Sequence, residues 1–498
     1  MPAAHPQRRR FQKALALAGP TQYFLSGDFN SQFDQPVGRP QYIPERSRAG
    51  RKGIPLFVKN QILLNQGNCL DLVTGVMRKN IAVHIRDDTI TAVEDAGQAA
   101  GEETTTIDCT GKYLLPGLFE CHAHLTILTN QTDEVKAAIL DECGLKKGAE
   151  AVELEKEVLK EFVNRGITQI RDVGGPVSTL KRLKDDISNG KYLGPELFYA
   201  GPMLEKSPLT GEANNTRWPG FTVAVDSRRD VKKVLRRLST DGVGLIKTFG
   251  KFDHEALKSL VAEAKKMNLP TTHDVGSTFF HAVPVDIGIE LGLNCFEHGK
   301  SPWYVVLKDE LKAEHDSLRQ ASPEKKEAFI AKAMALKVES ISQEKLKRLA
   351  QQMVEEEIYF CPTLHIFKHQ IDHPEIYHDA DHEKFRKIFA ALYDVSRFIT
   401  RRFVREGVRM MVGQDGWNPA FTANEMELLV EMGLSEMEVI RGATTYPAQW
   451  LGVTNRMGGI APGRRADIVI LDKNPLEDIR NIRTVRSVLK DGLVAYQA

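Results

Sequence analysis

Eight alternations of strand-like and helix-like runs lie between residues 113 and 457, and they restrict the possible folds more than any other feature. The strand-like runs are short and rich in β-branched and aromatic residues, whereas the helical runs repeat apolar residues every three or four positions. Eight β/α units in one segment predict an α/β fold, a (β/α)8 TIM barrel with insertions. The predicted strands are the one that follows Pro116-Gly117 and ends in His122 and His124, and then 166–173, 196–200, 242–248, 269–273, 293–298, 358–363 and 408–412.

Both ends of the chain read as short β-strands, at 56–64, 80–86 and 89–93 and again at 466–472 and 485–489. Neither end has enough strands for a stable sheet of its own. We therefore expect a small β-sandwich domain built from 56–112 plus 458–498, beside a barrel at 113–457. Residues 1–55 differ in composition and are expected to form an N-terminal arm.

A highly charged segment, 307–356, follows the sixth predicted strand. Its charges predict a solvated helical face, and a lid is the alternative.

The formal net charge of the chain is +1, which gives no general case for nucleic-acid or membrane binding. The six cysteines are scattered without paired spacing, so we expect a cytoplasmic protein without a disulfide framework. Cys121 and Cys361 lie in apolar runs and are expected to be inert core thiols.

Six polar residues fall at the carboxyl ends of predicted barrel strands, where such barrels carry their active sites. Each has an ordinary structural explanation when taken singly, as a hydrogen-bonded histidine, a lysine that reaches solvent or an aspartate in a turn. Six in this order are hard to explain that way, and imidazole and carboxylate are metal ligands. The six residues are His122, His124, Lys247, His273, His298 and Asp415.

The segments around these residues resemble those of the amidohydrolase superfamily, metal-dependent hydrolases with a barrel and a small β-sandwich. The resemblance covers about 56–498 and is closest to the binuclear-metal branch of imidazolonepropionase-related, prolidase-like and ochratoxin-hydrolysing amidases. The tail 459–472 also matches. The matching segments are Pro-Gly-Leu-Phe-Glu-Cys-His-Ala-His (116–124), Gly-Ile-Thr-Gln-Ile-Arg-Asp-Val-Gly-Gly (166–175), Ile-Lys-Thr (246–248), Thr-His (272–273), Phe-Glu-His-Gly (296–299) and Gly-Gln-Asp-Gly (413–416).

This resemblance implies two divalent metal ions, with zinc as the expected metal. By analogy with the family, His122, His124 and Asp415 would hold the first ion. His273 and His298 would hold the second.

Lys247 would bridge both ions as a carbamate formed with CO2. A bare ammonium group would repel a cation, so this lysine fits a metal site only as a carbamate or deprotonated. The mononuclear branch of the superfamily, which includes deaminases, lacks the lysine. Lys247 therefore favours amide hydrolysis over deamination.

The implied reaction is cleavage of a C–N amide bond in an N-acyl amino acid, a dipeptide or an ochratoxin-like aryl amide. A hydroxide bridging the metals would attack the carbonyl group, and Asp415 would take the proton and pass it to the leaving nitrogen. Carbamate, urea or cyclic amide substrates are the alternative for the same site. A non-catalytic scaffold is the alternative from a different class, and it would predict lost ligands. A homo-oligomer that acts on a small molecule is expected by resemblance.

The candidates outside the six expected ligands are less constrained. Asp172 could orient a metal-bound imidazole or pair with Arg171. His365 could stabilise an oxyanion or hold a substrate carboxylate, or it could be an exposed loop residue. Arg217 and Trp218 could form a clamp for a carboxylate or an aryl group. Four further histidines are expected at the surface: His369, His373, His378 and His382.

Overall fold

A computed structural model describes residues 61–97, 104–129, 153–276, 280–374 and 381–498. Within 130–152 it also describes Lys136, 139–141, Cys143 and Leu145. The predicted N-terminal arm, 1–55, lies outside these residues. The bounds of the elements given below refer to the described part of the chain.

The described strands are short, and most are buried on at least one face. They are β1 Gln61–Asp71, β2 Val76–Arg86, β3 Thr89–Asp95, β4 Thr105–Asp108, β5 Tyr113–Pro116, β6 Leu118–Ala123, β7 Ile167–Asp172, β8 Glu196–Tyr199, β9 Met203–Glu205, β10 Thr222–Ala224, β11 Ile246–Phe249, β12 Thr271–Asp274, β13 Cys295–Glu297, β14 Tyr359–Cys361, β15 Arg409–Met410, β16 Ile468–Leu471, β17 Val485–Lys490 and β18 Leu493–Gln497.

The helices lie mostly between these strands. They are α1 Leu154–Asn164, α2 Val177–Ser188, α3 Glu212–Arg217, α4 Arg228–Thr240, α5 His254–Lys266, α6 Val285–Glu290, α7 Trp303–Val306, α8 Asp309–Ser317, α9 Pro323–Ala335, α10 Gln343–Glu355, α11 Leu364–Asp372, α12 His382–Glu406, α13 Phe421–Glu431, α14 Glu436–Gly442 and α15 Thr445–Trp450.

Strands from the two ends of the chain pair in one eight-stranded sheet, in the order β18-β17-β16-β5-β1-β2-β3, with β4 against β1. The two ends meet where β16 runs antiparallel to β5, with Val469 opposite Leu115. Apolar side chains on one face of these strands, among them Leu64, Val83 and Ile468, form their own buried cluster. Because β5 lies in this sheet, the chain leaves it at Gly117 rather than at the predicted boundary, 113.

The other strands pair in parallel, as β6-β7-β8 and as β10-β9-β11-β12-β13-β14-β15. Backbone hydrogen bonds join the last of them to the first, from Cys121 N to Val412 O at 2.9 Å and from Asp415 N to His122 O at 2.8 Å. Eight of these strands coincide with the eight predicted ones, whereas β9 and β10 were not predicted. Since all run in the same direction, their carboxyl ends share one edge, and this edge carries the residues discussed below.

Helix caps and the spacing of apolar residues explain why these helices could be predicted from the sequence. In α4, Ser227 Oγ accepts a hydrogen bond from Asp230 N at the helix start, and the buried residues Val231, Leu235 and Leu238 recur at helical spacing. The charged segment 307–356 forms α8 to α10, which bury apolar residues on one face and expose charged residues on the other. In α10, for example, Leu346 and Met353 are buried and Lys347 is exposed. Helix α12, 25 residues long, was not predicted. Within the described residues, no helix is both long and apolar enough to cross a membrane.

Candidate metal centre

Two imidazoles and one carboxylate converge at the carboxyl edge of β6. Oδ1 of Asp415 lies 3.3 Å from Nε2 of His122 and 3.4 Å from Nε2 of His124. The His122 Nε2 atom is buried and makes no hydrogen bond within the described residues. These three ligand atoms lie within 4.8 Å of one another, a grouping that could hold a metal ion. The structure therefore brings together the three residues expected to hold the first metal.

Strand periodicity and one backbone turn produce this arrangement. His122 and His124 are two residues apart at the end of β6 and point to the same side. Asp415 has φ of 55°, a left-handed conformation uncommon outside glycine, and this turns its carboxylate back over β6. A Cβ atom at Gly413 would lie 2.7 Å from His122 Cβ, so this close approach of the two segments requires glycine there.

A buried ion pair orients the ring of His122. Glu297 places Oε2 2.8 Å from His122 Nδ1, and its Oε1 lies 2.8 Å from the guanidinium group of Arg171. Burial by itself would raise the pKa of Glu297, but Arg171 and His122 hold this pKa well below its ordinary value. The ionised carboxylate can accept a hydrogen bond from the N–H at His122 Nδ1, which leaves Nε2 as the free ligand atom facing Asp415.

The backbone around His124 is held by Asp172. Its carboxylate accepts hydrogen bonds from Leu125 N at 2.7 Å and from Gly174 N at 3.1 Å, while Gly174 O lies 3.0 Å from His124 Nδ1. Burial raises the pKa of Asp172 to about 6. Of the two predicted roles, pairing with Arg171 is wrong because Arg171 pairs with Glu297. Asp172 orients the imidazole through the backbone rather than by direct contact.

A second group of residues lies beside the first. Lys247 is 1% exposed, and its Nζ atom makes no hydrogen bond within the described residues. Asp274 Oδ2 lies 3.6 Å from this Nζ and 2.9 Å from Nε2 of His298. The other ring nitrogen of His298 is 2.8 Å from Thr363 Oγ1. The rings of His298 and His122 are 4.9 Å apart, so the two groups are contiguous.

The structure does not place His273 with the other predicted ligands. Its Nδ1 lies 2.9 Å from Thr248 Oγ1 and its Nε2 lies 3.1 Å from Val283 O. Burial lowers the pKa of His273 to about 4. The reason is the strand alternation: Lys247 is in register with Thr272 of β12, so His273 falls on the opposite face. Asp274, which sequence reasoning did not single out, points into the site instead.

His365 lies in the first turn of α11 and is 8% exposed, so it is not an exposed loop residue. Its Nε2 atom is 3.1 Å from Asn424 Nδ2, its backbone N–H donates to Glu425, and its ring packs against Phe421. Burial lowers the pKa of His365 to about 4. These contacts place it against α13 rather than among the converging ligands.

The other histidines of this region do not all lie at the surface as expected. His369 is 9% exposed and packs between His365 and His373, so that prediction is wrong for His369. His373 and His382 are exposed. His378 lies outside the described residues.

An aromatic row approaches the converging ligands from the β9–β10 connection. The ring of Trp218 lies 5.8 Å from that of Phe221, and Phe221 lies 5.9 Å from His124. Trp218 is 7% exposed, so its ring is a packed wall rather than a free clamp. Arg217 ends helix α3, and its side chain lies outside the described residues.

A cleft of about 450 Å³ opens where the chain continues beyond the carboxyl ends of β9 and β11. The backbone N–H of Lys206 donates to Lys251 O at 2.8 Å, which holds the two lysines on adjoining segments. The cleft thus combines two cationic side chains with one aromatic ring. Its lining residues are Lys206, Ser207, Pro208, Lys251, Phe252 and His281.

All six cysteines are free and buried. Burial raises the pKa of Cys121 and of Cys361 well above the ordinary value, which disfavours the thiolate form. The predicted burial of these two thiols is confirmed, and their inertness stays a prediction.

Comparison with known proteins supports the resemblance predicted from the motifs. The family model described as "Amidohydrolase family" matches residues 310–494. The ochratoxinase of Aspergillus niger is 22% identical over 457 residues, which span 83% of this chain and 82% of that protein. The resemblance to the amidohydrolase superfamily is therefore confirmed.

Solved structures share the fold over most of the chain. A prolidase in complex with N-methylphosphonate-L-proline matches with a TM-score of 0.66 at 22% identity, over 88% of this chain and 100% of that one. A Xaa-Pro dipeptidase with methionine bound in its active site matches with a TM-score of 0.66 at 19% identity, over the same shares. The chain therefore has the α/β fold of these hydrolases.

Proposed function

We propose that this chain is a metal-dependent amidohydrolase that cleaves a C–N amide bond, on a (β/α)8 barrel flanked by a small β-sandwich. The observation that carries the proposal is the convergence of His122, His124 and Asp415, with Lys247 and His298 directly beside them. Such sites in parallel α/β folds lie at the carboxyl edge of the strands, as this one does.

The residues present fit divalent metal ions. His122 Nε2 and Lys247 Nζ are buried without a hydrogen bond within the described residues, which is costly unless another group binds each atom. His122, His124 and Asp415 would hold one ion. His298 and Lys247, the latter as a carbamate, would contribute to a second. Zinc, which binds imidazole and carboxylate ligands, is the metal proposed for the first position.

Bound there, the ions would lower the pKa of a water molecule and polarise the substrate carbonyl group. Burial would raise the pKa of Asp415, but His122 and His298 hold it well below its ordinary value, so the carboxylate is ionised. Its Oδ1 faces the two histidines of β6, whereas Oδ2 lies 3.8 Å from His298 Nδ1. Oδ2 is therefore the atom that accepts the proton from the attacking water and returns it to the leaving nitrogen.

The surroundings support a substrate with an apolar or aromatic acyl side and an anionic end. Phe221 and Trp218 line the approach to His124, and the cleft next to β11 presents Lys206 and Lys251. N-acyl amino acids, dipeptides and ochratoxin-like aryl amides have this combination. The similar proteins include an ochratoxinase, a prolidase and a Xaa-Pro dipeptidase, which supports an amide bond as the bond that is cleaved.

Hydrolysis of a defined panel tests the proposal. The purified chain, supplied with zinc and bicarbonate, would be assayed by mass spectrometry on N-aroyl and N-acyl amino acids, X-Pro and X-Phe dipeptides, aryl carbamates and phenylureas. Each acyl amino acid would be paired with its methyl ester, which lacks the carboxylate. Release of free amino acid, faster from the acid than from the ester and abolished by a chelator, is the expected result.

Other outcomes have defined meanings. Turnover of carbamates or ureas alone would keep the metal site and replace the amide substrate. Equal rates on the acid and the ester would remove the carboxylate from the substrate description. Turnover that survives complete metal removal would contradict the metal dependence.

A further inference from the structure

The strand pairing decides which side chains of β12 enter the site. Strands β11 and β12 are parallel, with Lys247 opposite Thr272 and Thr248 opposite His273. The Thr272 hydroxyl donates to Glu297, the residue that orients His122, so Thr272 faces the interior. Side chains two residues apart share a face, and Asp274 therefore faces the interior as well.

His273 is committed elsewhere. Both of its ring nitrogens have partners, Thr248 Oγ1 and Val283 O, and its ring packs edge-on against Phe296 at 6.2 Å. To reach the interior, this ring would have to break both hydrogen bonds and cross the strand. A shift of β12 by one residue would be needed, and that would carry every side chain of the strand to the other face.

Asp274 already has the position of a ligand. One carboxylate oxygen, Oδ1, accepts a hydrogen bond from Gly276 N at 2.7 Å and fixes the side chain. The other, Oδ2, points between His298 Nε2 at 2.9 Å and Lys247 Nζ at 3.6 Å. Asp274 is 6% exposed, so its charge has to be balanced by groups inside the site.

We propose that Asp274, in place of His273, is the ligand that β12 contributes to the second metal ion, together with His298 and Lys247. This inference rests on the proposed metal-dependent function. A carboxylate adds a negative charge that an imidazole would not, and it makes the second position richer in oxygen donors. Oxygen donors favour harder ions such as Mn²⁺ over an all-imidazole set, so the second position should accept manganese readily.

Metal stoichiometry provides the test and does not depend on knowing the substrate. Wild-type chain, D274N and H273Q would be stripped with a chelator, reloaded with zinc or manganese in bicarbonate, desalted and analysed by plasma mass spectrometry. Asparagine preserves the shape of Asp274 and removes its charge, whereas glutamine at 273 preserves hydrogen-bonding groups. We expect two ions per chain in the wild type and in H273Q, and one in D274N.

The opposite pattern, two ions in D274N or one in H273Q, would overturn the inference. A wild-type chain without bound metal would instead remove the proposed function itself, so the two failures are distinguishable. Circular dichroism and size exclusion would establish that each variant is folded. If D274N does not fold, D274H would replace it, since an imidazole at this position should restore the second ion, and a folded D274H chain with one ion would count against the inference.

Discussion

Glu297 binds His122 and Arg171 with its two carboxylate oxygens, each at 2.8 Å, and all three side chains are fully buried. Arg171 is thus linked to the candidate metal ligand His122 through the carboxylate of Glu297. Removal of either partner would leave a buried charge unpaired, which destabilises the folded chain. Glu297 also fixes the orientation of the His122 ring.

Substitution of Glu297 by glutamine should therefore affect folding and metal binding together. Loss of the carboxylate charge leaves Arg171 buried without its counter-ion, which should lower the free energy of unfolding by about 3–5 kcal/mol. Loss of the partner of His122 should weaken metal affinity by roughly 10–100-fold. Denaturant titration and a competitive chelator assay would measure the two effects.

A matched control is Glu314→Gln, which removes an ion pair with Lys332 whose side chains are 39% and 55% exposed. Its effect on unfolding should stay within about 0.5 kcal/mol. Equal stability changes in both variants would show that the buried pair contributes no more than a surface one.

Asp415→Asn should separate metal binding from proton transfer. His122 and His124 remain to hold the first ion, but the amide cannot take up the proton at Oδ2. We expect kcat to fall by roughly 10²–10⁴-fold, with at least one metal ion retained per chain. Metal analysis beside steady-state kinetics on the best substrate would measure both. A variant that keeps nearly the full rate would rule out the role of Asp415 as general base.

Gly413→Ala should disturb the ligands without removing any polar side chain. The new methyl group would meet Cys361 Sγ at 2.6 Å and His122 Cβ at 2.7 Å, closer than any relaxed contact. Forcing a methyl group into a packed interior typically costs about 1–3 kcal/mol, and His122 would move with its strand. The midpoint temperature of thermal unfolding and the metal content per chain should both be lower than in the wild type.

Gly416→Ala, three residues further along, is the matched control. There the nearest atom to the new methyl group would be Gln414 Oε1 at 3.5 Å, an ordinary contact. A Gly416→Ala chain as unstable as Gly413→Ala would contradict the steric explanation.

His365 should make the fold sensitive to acid. Burial lowers its pKa in the folded chain to about 4, against about 6.5 for a solvated histidine. Because the folded pKa is the lower one, protonation of His365 favours the unfolded chain. The free energy of unfolding is therefore unaffected by this residue above pH 6.5 and decreases as the pH falls toward 4. At pH 5 the loss from this residue alone is about 2 kcal/mol.

His365→Gln should remove that part of the pH dependence. Urea unfolding at pH 7.5 and at pH 5.0 would show a smaller difference for this variant than for the wild type. His382→Gln, at an exposed position, should behave as the wild type does. Identical pH dependence for all three chains would mean that His365 is not neutralised by burial.

The local pattern determined much of this protein. The order of parallel strands, the capped helices and the positions of His122, His124 and Asp415 at strand ends follow from periods of two and 3.6 residues, which neighbouring residues set among themselves. Lys247, His273 and His298 were found by the same pattern, and the structure places Lys247 and His298, but not His273, beside these three.

Tertiary structure decided what local periods cannot. Thr-His-Asp offers two ligands on opposite faces of β12, and only its register against Lys247 on β11 selects Asp274 over His273. Glu297 and Arg171 are 126 positions apart and meet only because their strands face one interior. Such choices depend on contacts between distant segments, because the energy of a side chain on a strand is set by its neighbours across the sheet rather than along the chain.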